Sequence, residues 1–341
     1  MRPRLLPSTV RSVAAGVALL SAVPAGAAAA APAATGPGGS SFTIADPRIK
    51  ESSGLAASRV HPGVYWTHND SDDGPYVYAV DAATGRTVAR VTLTGIGTPR
   101  DVEAISLGPD GQLYVGDIGD NKDGTWDHVW IYRFPEPKQL GDATVKGTQF
   151  TVRYADGPRN AEALMVHPVT GRVYIASKHE SRGGLYEGPA TLSPGGPNVF
   201  RRVADLPWVT DGAFSPDGGR LTLRGYFAAR TYPWQDGRPR GEGERVDAPW
   251  QGQAESVTYT ADGSTLMFGS EGEGSRVVAV PAGAATAAPS APAASSAPPQ
   301  AGPPPGPAPE PGSFGKGALV LAGGLAAVFA AKRLFRRRTP R

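Results

Sequence analysis

Apolar and polar residues alternate in short runs over most of the chain, from about residue 41 to residue 281. Turn-forming triplets such as Pro109-Asp110-Gly111 and Pro216-Asp217-Gly218 separate these runs. A period of two residues is typical of half-buried β-strands, and Pro, Asp and Gly favour the turns between them. No segment of this region repeats its apolar residues with the longer period of an amphipathic helix. The pattern therefore predicts an all-β fold.

Five pairs of runs recur along this region with a nearly constant spacing. The first runs open at Ser53, Glu103, Glu162, Thr210 and Glu255. The second run begins 11 residues later in four of the pairs and 10 residues later in the pair of Glu103. Successive pairs start 45 to 59 residues apart, which suits the four-stranded blade of a β-propeller. The repeats predict a five-bladed β-propeller over 41–281, with six blades and a two-sheet sandwich as the alternatives.

The last repeat has one strand fewer than the others before the composition changes near residue 282. An outer strand is available at the start of the region, where Phe42-Thr43-Ile44 resembles the outer strand Phe150-Thr151-Val152. We therefore expect the N-terminal strand to pair with the last repeat and close the propeller.

The two ends of the chain differ from the strand-rich region. Residues 1–31 combine early arginines, a short apolar run and several small residues, which is typical of a secretory signal peptide. The run is shorter than the roughly 20 residues that a membrane span needs. Residues 32–40 are predicted to be disordered. Residues 282–316 are almost wholly Ala, Pro, Gly and Ser and are predicted to form an extended stalk.

An apolar run at 317–335 follows the stalk, and the basic residues of 336–341 follow that run. Positive charge next to an apolar run predicts one transmembrane helix with a cytoplasmic tail. A second cleaved tail is the alternative. We expect a single-pass protein of the cell membrane, with region 41–281 outside the cell and the C-terminus in the cytoplasm.

Composition and charge exclude several classes of function. The chain contains no cysteine, which excludes a disulfide scaffold, a Cys-ligated zinc site and a thiol nucleophile. The formal net charge is +3, but region 41–281 carries 24 basic and 30 acidic residues. A nucleic-acid-binding domain needs a basic surface, so no nucleic-acid partner is expected. We expect a monomer with an unidentified extracellular ligand or protein partner.

The residues that open the first runs would meet at one mouth of a propeller's central channel. Three of these five residues are glutamates, and the other two are Ser53 and Thr210. Carboxylates that converge on one axis repel each other, so a counter-charge is expected. Oxygen ligands alone favour Ca²⁺, and we predict a Ca²⁺ site, structural or catalytic, at Ser53, Glu103, Glu162, Thr210 and Glu255. The alternatives are proton sharing and ion pairs with Arg48, Arg100 and Arg159.

Polar residues at the ends of the second runs would surround the same mouth. They are His68, Asp117, Lys178, Arg224 and Glu271. A metal-dependent hydrolase needs a cation that polarises an oxygen and a base within reach. The candidate bases are His68, Asp117 and Glu271, while Lys178 and Arg224 could hold an anionic group. Two tryptophans, Trp208 and Trp250, precede first runs, where they could stack a sugar ring or pack between blades.

The ring of Ser, Thr and Glu on successive first strands resembles the calcium-activated nucleotidases (apyrases), which are five-bladed propellers with a calcium ion on the central axis. The repeats also resemble propellers of the lactonase and phytase-like esterase type, which use a metal at the same place, and bacterial WD-like propellers without catalysis. These resemblances imply two functions. One is a membrane-anchored extracellular binding module with an axial Ca²⁺ site. The alternative is a metal-dependent hydrolase of a phosphate or carboxylic ester or a lactone.

Overall fold

The computed structural model describes residues 39–71, 73–122, 124–179 and 183–283. Within these ranges the chain forms strands, turns and loops, and no helix that could cross a membrane occurs there. The predicted signal peptide, transmembrane helix and basic tail lie outside the described residues. The predicted stalk does too, except for its first two residues.

The strands are short and follow one another closely along the chain. In chain order they are β1 (Phe42–Thr43), β2 (Ser52–Ala57), β3 (Val64–Asn69), β4 (Tyr76–Asp81), β5 (Thr87–Thr94), β6 (Val102–Leu107), β7 (Gln112–Asp117), β8 (Val129–Pro135), β9 (Ala143–Lys146), β10 (Thr148–Tyr154), β11 (Ala161–Val166), β12 (Val173–Ser177), β13 (Gly184–Glu187), β14 (Asn198–Asp205), β15 (Asp211–Phe214), β16 (Arg220–Arg224), β17 (Ala229–Gln235), β18 (Arg238–Pro239), β19 (Glu244–Val246), β20 (Ser256–Tyr259), β21 (Thr265–Gly269) and β22 (Arg276–Pro281).

Antiparallel pairing groups most of these strands into five units of four. The units are β2 to β5, then β6, β7, β8 and β10, then β11 to β14, then β15, β16, β17 and β19, and finally β20, β21, β22 and β1. In the last unit Phe42 of β1 lies opposite Val277 of β22, which is the pairing that the sequence predicted. Two parallel pairings link neighbouring units, β5 with β9 and β10 with β14.

The first strands of the five units contact one another in the closed cycle β2, β6, β11, β15, β20 and back to β2. Antiparallel sheets arranged in a ring around their innermost strands are the architecture of a β-propeller. Apolar side chains fill the spaces between units. Trp66 and Val91 of the first unit, for example, pack in one cluster with Leu113 and Phe134 of the second.

The beginnings of the first strands all lie at one end of the ring, which we call the polar mouth. The second strands run antiparallel to the first, so their last residues return to this end. Ser52 pairs with Asn69, and Val102 pairs with Asp117. The polar mouth therefore gathers the beginnings of the first strands, the ends of the second strands and the loops that follow them.

The pairing register shifts at the polar mouth in three units, and in the first unit it passes from Ser52 to Leu55 of β2. The pairing of β6 with β7 skips from Val102 to Ala104, and the pairing of β11 with β12 skips from Ala161 to Ala163. Glu103 and Glu162 are thus the extra residues of β-bulges in the second and third units. Bulges re-aim a side chain and often lie beside functional sites.

Candidate functional site

A buried lysine supplies the counter-charge for two of the three ring glutamates. Lys178 directly follows β12, and its Nζ lies 2.7 Å from Oε1 of Glu162, with both side chains nearly inaccessible to water. The same Nζ donates to the hydroxyl of Tyr226 at 3.1 Å, and that hydroxyl donates to Oε1 of Glu255 at 2.8 Å. Lys178, Glu162, Tyr226 and Glu255 therefore form one hydrogen-bonded group, which we call the lysine network.

Burial alone would lower the pKa of Lys178, but the nearby carboxylates of Glu162 and Glu255 raise it well above its usual value. Burial also raises the pKa of Tyr226, and the charge of Glu255 raises it further. Lys178 is therefore a cation and Tyr226 a neutral phenol at physiological pH. The second oxygen of Glu255, Oε2, is buried and accepts no hydrogen bond from the residues that the structure describes.

Three carboxylates form a second cluster at the polar mouth, beside the lysine network. Asp70, Asp101 and Glu103 are all buried, and one oxygen of each lies within 4.8 Å of the other two. Asp70 follows β3 and Asp101 precedes β6, and the amide of Val102 donates to the carbonyl of Asp70 at 2.8 Å. We call these three residues the acidic cluster. The hydroxyl of Ser53 donates to Oε2 of Glu103 at 3.0 Å and so belongs beside it.

The carboxylates of the acidic cluster repel one another. Burial raises the pKa of Glu103 well above its usual value, and the carboxylates of Glu162, Asp70 and Asp101 raise it further, with Lys178 opposing them. A Cβ atom at Gly119 would come within 2.8 Å of Oε1 of Glu103. A larger residue at this position would clash with that oxygen, so the backbone at Gly119 packs closely against the cluster.

The arginines proposed as alternative counter-charges bond elsewhere. Arg48 pairs with Asp46, with 2.6 Å between Nη2 and Oδ2. The guanidinium of Arg100 lies between the rings of Trp126 and Trp130, at 4.0 and 3.8 Å from their centroids, and Arg159 pairs with Asp156 and Tyr186. The positive charge beside the ring glutamates instead comes from Lys178. The sequence had suggested this residue only as one that could hold an anionic group.

The structure divides the five residues predicted as metal ligands. Ser53 and Glu103 lie in or beside the acidic cluster. Glu162 and Glu255 belong to the lysine network, and Thr210 donates its hydroxyl to the carbonyl of Ala254 at 2.7 Å. A cation held by the acidic cluster would therefore lie off the centre of the ring, on the side of the first and second units.

Two of the predicted pocket residues are used to join strands. Oδ1 and Oδ2 of Asp117 accept from the amides of Asp101 and Arg100 at 3.0 and 3.1 Å, and Oδ2 also accepts from the hydroxyl of Tyr132 at 2.6 Å. Arg224 donates from Nη1 to the carbonyls of Ser256 and Gly269, both at 2.7 Å. Burial lowers the pKa of Arg224 to about 10, and its bonds tie the fourth unit to the fifth.

The other two predicted bases also bond to neighbouring residues of the mouth. His68 is buried, its Nδ1 lies 3.2 Å from the carbonyl oxygen of Asn69, and burial lowers its pKa to about 4. The imidazole is therefore neutral near pH 7. Glu271 accepts from the side-chain amide of Gln253 at 2.5 Å. Of the charged groups predicted to form the pocket, Lys178 alone bonds directly to a ring carboxylate among the described residues.

Three residues of the site were not among the predicted ligands and bases. Asp70 directly follows β3, Asp101 directly precedes β6, and Tyr226 lies in a turn after β16. The only signal for the two aspartates was their position next to strand ends at the same mouth. Tyr226 follows a second strand that ends at this mouth, but the spacing did not indicate that its hydroxyl would bond to Glu255.

No family model and no curated protein match this chain. One similar solved structure is the PQQ-bound aldose sugar dehydrogenase of Streptomyces coelicolor, which is 14% identical to this chain. The match covers 71% of this chain and 98% of the dehydrogenase, with a TM-score of 0.42. A gluconolactonase from Xanthomonas campestris has 17% identity, coverage of 71% and 79%, and a TM-score of 0.41. Hydrazine synthase of Kuenenia stuttgartiensis has 11% identity, coverage of 64% and 61%, and a TM-score of 0.36. At such low TM-scores these similarities say nothing about the ligand or reaction of this chain.

Proposed function

We propose that this chain is a five-bladed propeller hydrolase that uses a Ca²⁺ ion at its polar mouth to cleave a carboxylic ester, a phosphate ester or a lactone. The five four-stranded units, with β1 as the last outer strand, support the blade number. The observation that carries the proposal is the acidic cluster beside the lysine network, because it combines a cation site with proton-donating and proton-accepting groups.

The acidic cluster fits a hard divalent cation. Asp70, Asp101 and Glu103 offer carboxylate oxygens within one small volume, and Ser53 adds a hydroxyl. Ca²⁺ prefers oxygen ligands of this type and tolerates irregular geometry. A cation would also relieve the repulsion that raises the pKa of Glu103.

A bound Ca²⁺ would act as a Lewis acid toward a carbonyl or phosphoryl oxygen. The remaining roles fall to side chains of the lysine network. Oε2 of Glu255 accepts no hydrogen bond within the described part of the chain, and it is the group that would take a proton from the attacking water. Lys178 offsets negative charge beside it, and the neutral hydroxyl of Tyr226 orients Glu255 through the 2.8 Å bond. The water oxygen joins the acyl or phosphoryl centre, and the bond from that centre to the ester oxygen breaks. The freed alkoxide takes the proton that Glu255 removed from the water, and in a lactone the resulting hydroxyl stays on the product.

A binding module with a structural Ca²⁺ is the second candidate. It is favoured by the burial of the three cluster carboxylates, which are only 2% to 5% exposed, because a structural ion is enclosed by protein. In either case we propose that the propeller is displayed outside the cell, attached to the membrane through 317–335 and the stalk. The compositions of 1–31 and 317–335 support this location.

Replacement of Glu255 by Gln is expected to lower ester or lactone hydrolysis by about 10²- to 10⁴-fold, the usual contribution of a general base. Purified protein in excess calcium would be assayed with carboxylic ester, phosphate ester and lactone panels. The exposed Glu242→Gln is the matched control and should keep full activity. Calcium binding without hydrolysis of any of the three classes would contradict the hydrolase and favour the structural ion.

A further inference from the structure

Four aromatic residues form a continuous row at the polar mouth. Trp208 lies in the loop after β14, Tyr226 and Phe227 lie in the turn between β16 and β17, and Trp250 lies in the loop before β20. We call them the aromatic row. All three connections follow strands that end at the polar mouth, so the row lies on the same side of the propeller as the acidic cluster and the lysine network.

Each ring of the row contacts the next in a geometry that aromatic pairs prefer. Trp208 meets Tyr226 edge-on at 5.5 Å between centroids, and Tyr226 meets Phe227 edge-on at 6.4 Å. Phe227 stacks on Trp250 at 5.4 Å with 28° between the ring planes. Trp250 is 79% exposed and Phe227 is 53% exposed. A contiguous apolar patch of this kind at the edge of a polar site is typical of a ligand-binding surface.

A cleft opens beside this row and is lined almost wholly by apolar groups. Its walls include Pro207, Trp208, Tyr226, Phe227, Ala228 and Arg230. The guanidinium of Arg230 donates to the carbonyls of Glu242 and Gly243. A sugar ring would bring several hydroxyls that need hydrogen-bond partners, and this lining offers few. A flat apolar ring extends the aromatic row without that cost.

We propose that this cleft binds an aryl group of the substrate, so that the enzyme acts on esters or lactones that carry an aromatic ring. This inference rests on the proposed hydrolase function. Tyr226 joins the two parts of the site, because its ring lines the cleft while its hydroxyl bonds to Glu255 and Lys178. A ligand whose ring lies against Tyr226 therefore brings its adjoining polar group toward the lysine network.

The test compares two non-hydrolysable probes of similar size, benzylphosphonate and cyclohexylmethylphosphonate, by calorimetric titration of the full chain in excess calcium. We expect the benzyl probe to bind about fivefold more tightly, the advantage of an added aromatic pair. Phe227→Ala and Trp250→Ala should reduce this preference to less than about twofold. Val199→Ala removes an exposed apolar side chain near the start of β14, at the end away from the polar mouth. This variant should keep the preference for the benzyl probe. Equal dissociation constants for the two probes in the wild type, or a preference that survives Phe227→Ala, would overturn the inference.

The Phe227→Leu variant controls for loss of fold, because it keeps an apolar side chain of similar size. It should still lose the preference for the benzyl probe. A parallel hydrolysis assay with benzyl acetate and cyclohexylmethyl acetate, whose leaving alcohols are similarly acidic, separates this inference from the proposed function. Hydrolysis of both esters at equal rates, with equal probe affinities, contradicts the aryl site and leaves the hydrolase intact. An aryl preference in binding without any hydrolysis supports the cleft as an aryl site and contradicts the hydrolase.

Discussion

Replacement of Lys178 by Met is expected to lower the free energy of unfolding by about 3–5 kcal/mol, the usual loss when one partner of a buried ion pair is removed. The ammonium of Lys178 bonds to Glu162 at 2.7 Å and lies near Glu255. Met has a similar length and keeps the packing of the stem, so the loss comes from the charge. Two carboxylates would then be buried without their cation.

Chemical denaturation of the wild type and variants measures this effect. Lys138→Met removes an exposed ammonium and should change the free energy of unfolding by less than about 0.5 kcal/mol. The double variant Lys178→Met, Glu162→Gln removes both charges of the pair and should recover part of the loss. Equal stabilities of the Lys178→Met and Lys138→Met variants would contradict a buried lysine network.

Replacement of Asp117 by Ala is expected to cost about 3–5 kcal/mol of stability, because three buried donors lose their acceptor and each unsatisfied group costs roughly 1–3 kcal/mol. Those donors are the amides of Arg100 and Asp101 and the hydroxyl of Tyr132. This residue was a candidate base from the sequence. Because Asp117 joins strands, its loss should destabilise the protein, and any loss of activity should follow from that destabilisation.

Denaturation curves again provide the measurement, now with Tyr132→Phe as a graded companion. That variant removes one of the three bonds and should cost about 1 kcal/mol, the typical net value of a hydrogen bond. Asp247→Ala, at an exposed carboxylate, is the control. A fully stable Asp117→Ala variant that has lost only catalysis would show that Asp117 is a base after all.

The strands and the closing pair of β1 with β22 could be predicted because both follow from local patterns. Alternation and turn residues define the strands, and the short final repeat left one place for Phe42 and Thr43. The parallel strand β9, which pairs with β5, was not predicted. Its pairing depends on a contact between distant parts of the chain, and no local period reports such a contact.

The site was harder to predict than the fold for a related reason. The repeat spacing located the strand beginnings, and with them Glu103 and Glu162, but it could not show that both are bulge residues. Nor could it show which cation would reach them. Lys178 and Tyr226 come from different units, and only the packing of side chains brings them to Glu162 and Glu255. Asp70 joins Glu103 for the same reason.

Calorimetric titration of the metal-free protein with CaCl₂ tests the cation site most directly. We expect one Ca²⁺ to bind per chain in the wild type. The free energy of unfolding should rise by about 2.7 kcal/mol when free calcium reaches 100 times the dissociation constant. Glu103→Gln should weaken binding at least about tenfold, the effect of losing about 1.4 kcal/mol from one ligand. Glu162→Gln, whose carboxylate bonds to Lys178, should bind calcium nearly as well as the wild type. The cation site is contradicted if the wild type shows neither heat of binding nor calcium-dependent stabilisation. It is also contradicted if the Glu103→Gln variant binds calcium as tightly as the wild type.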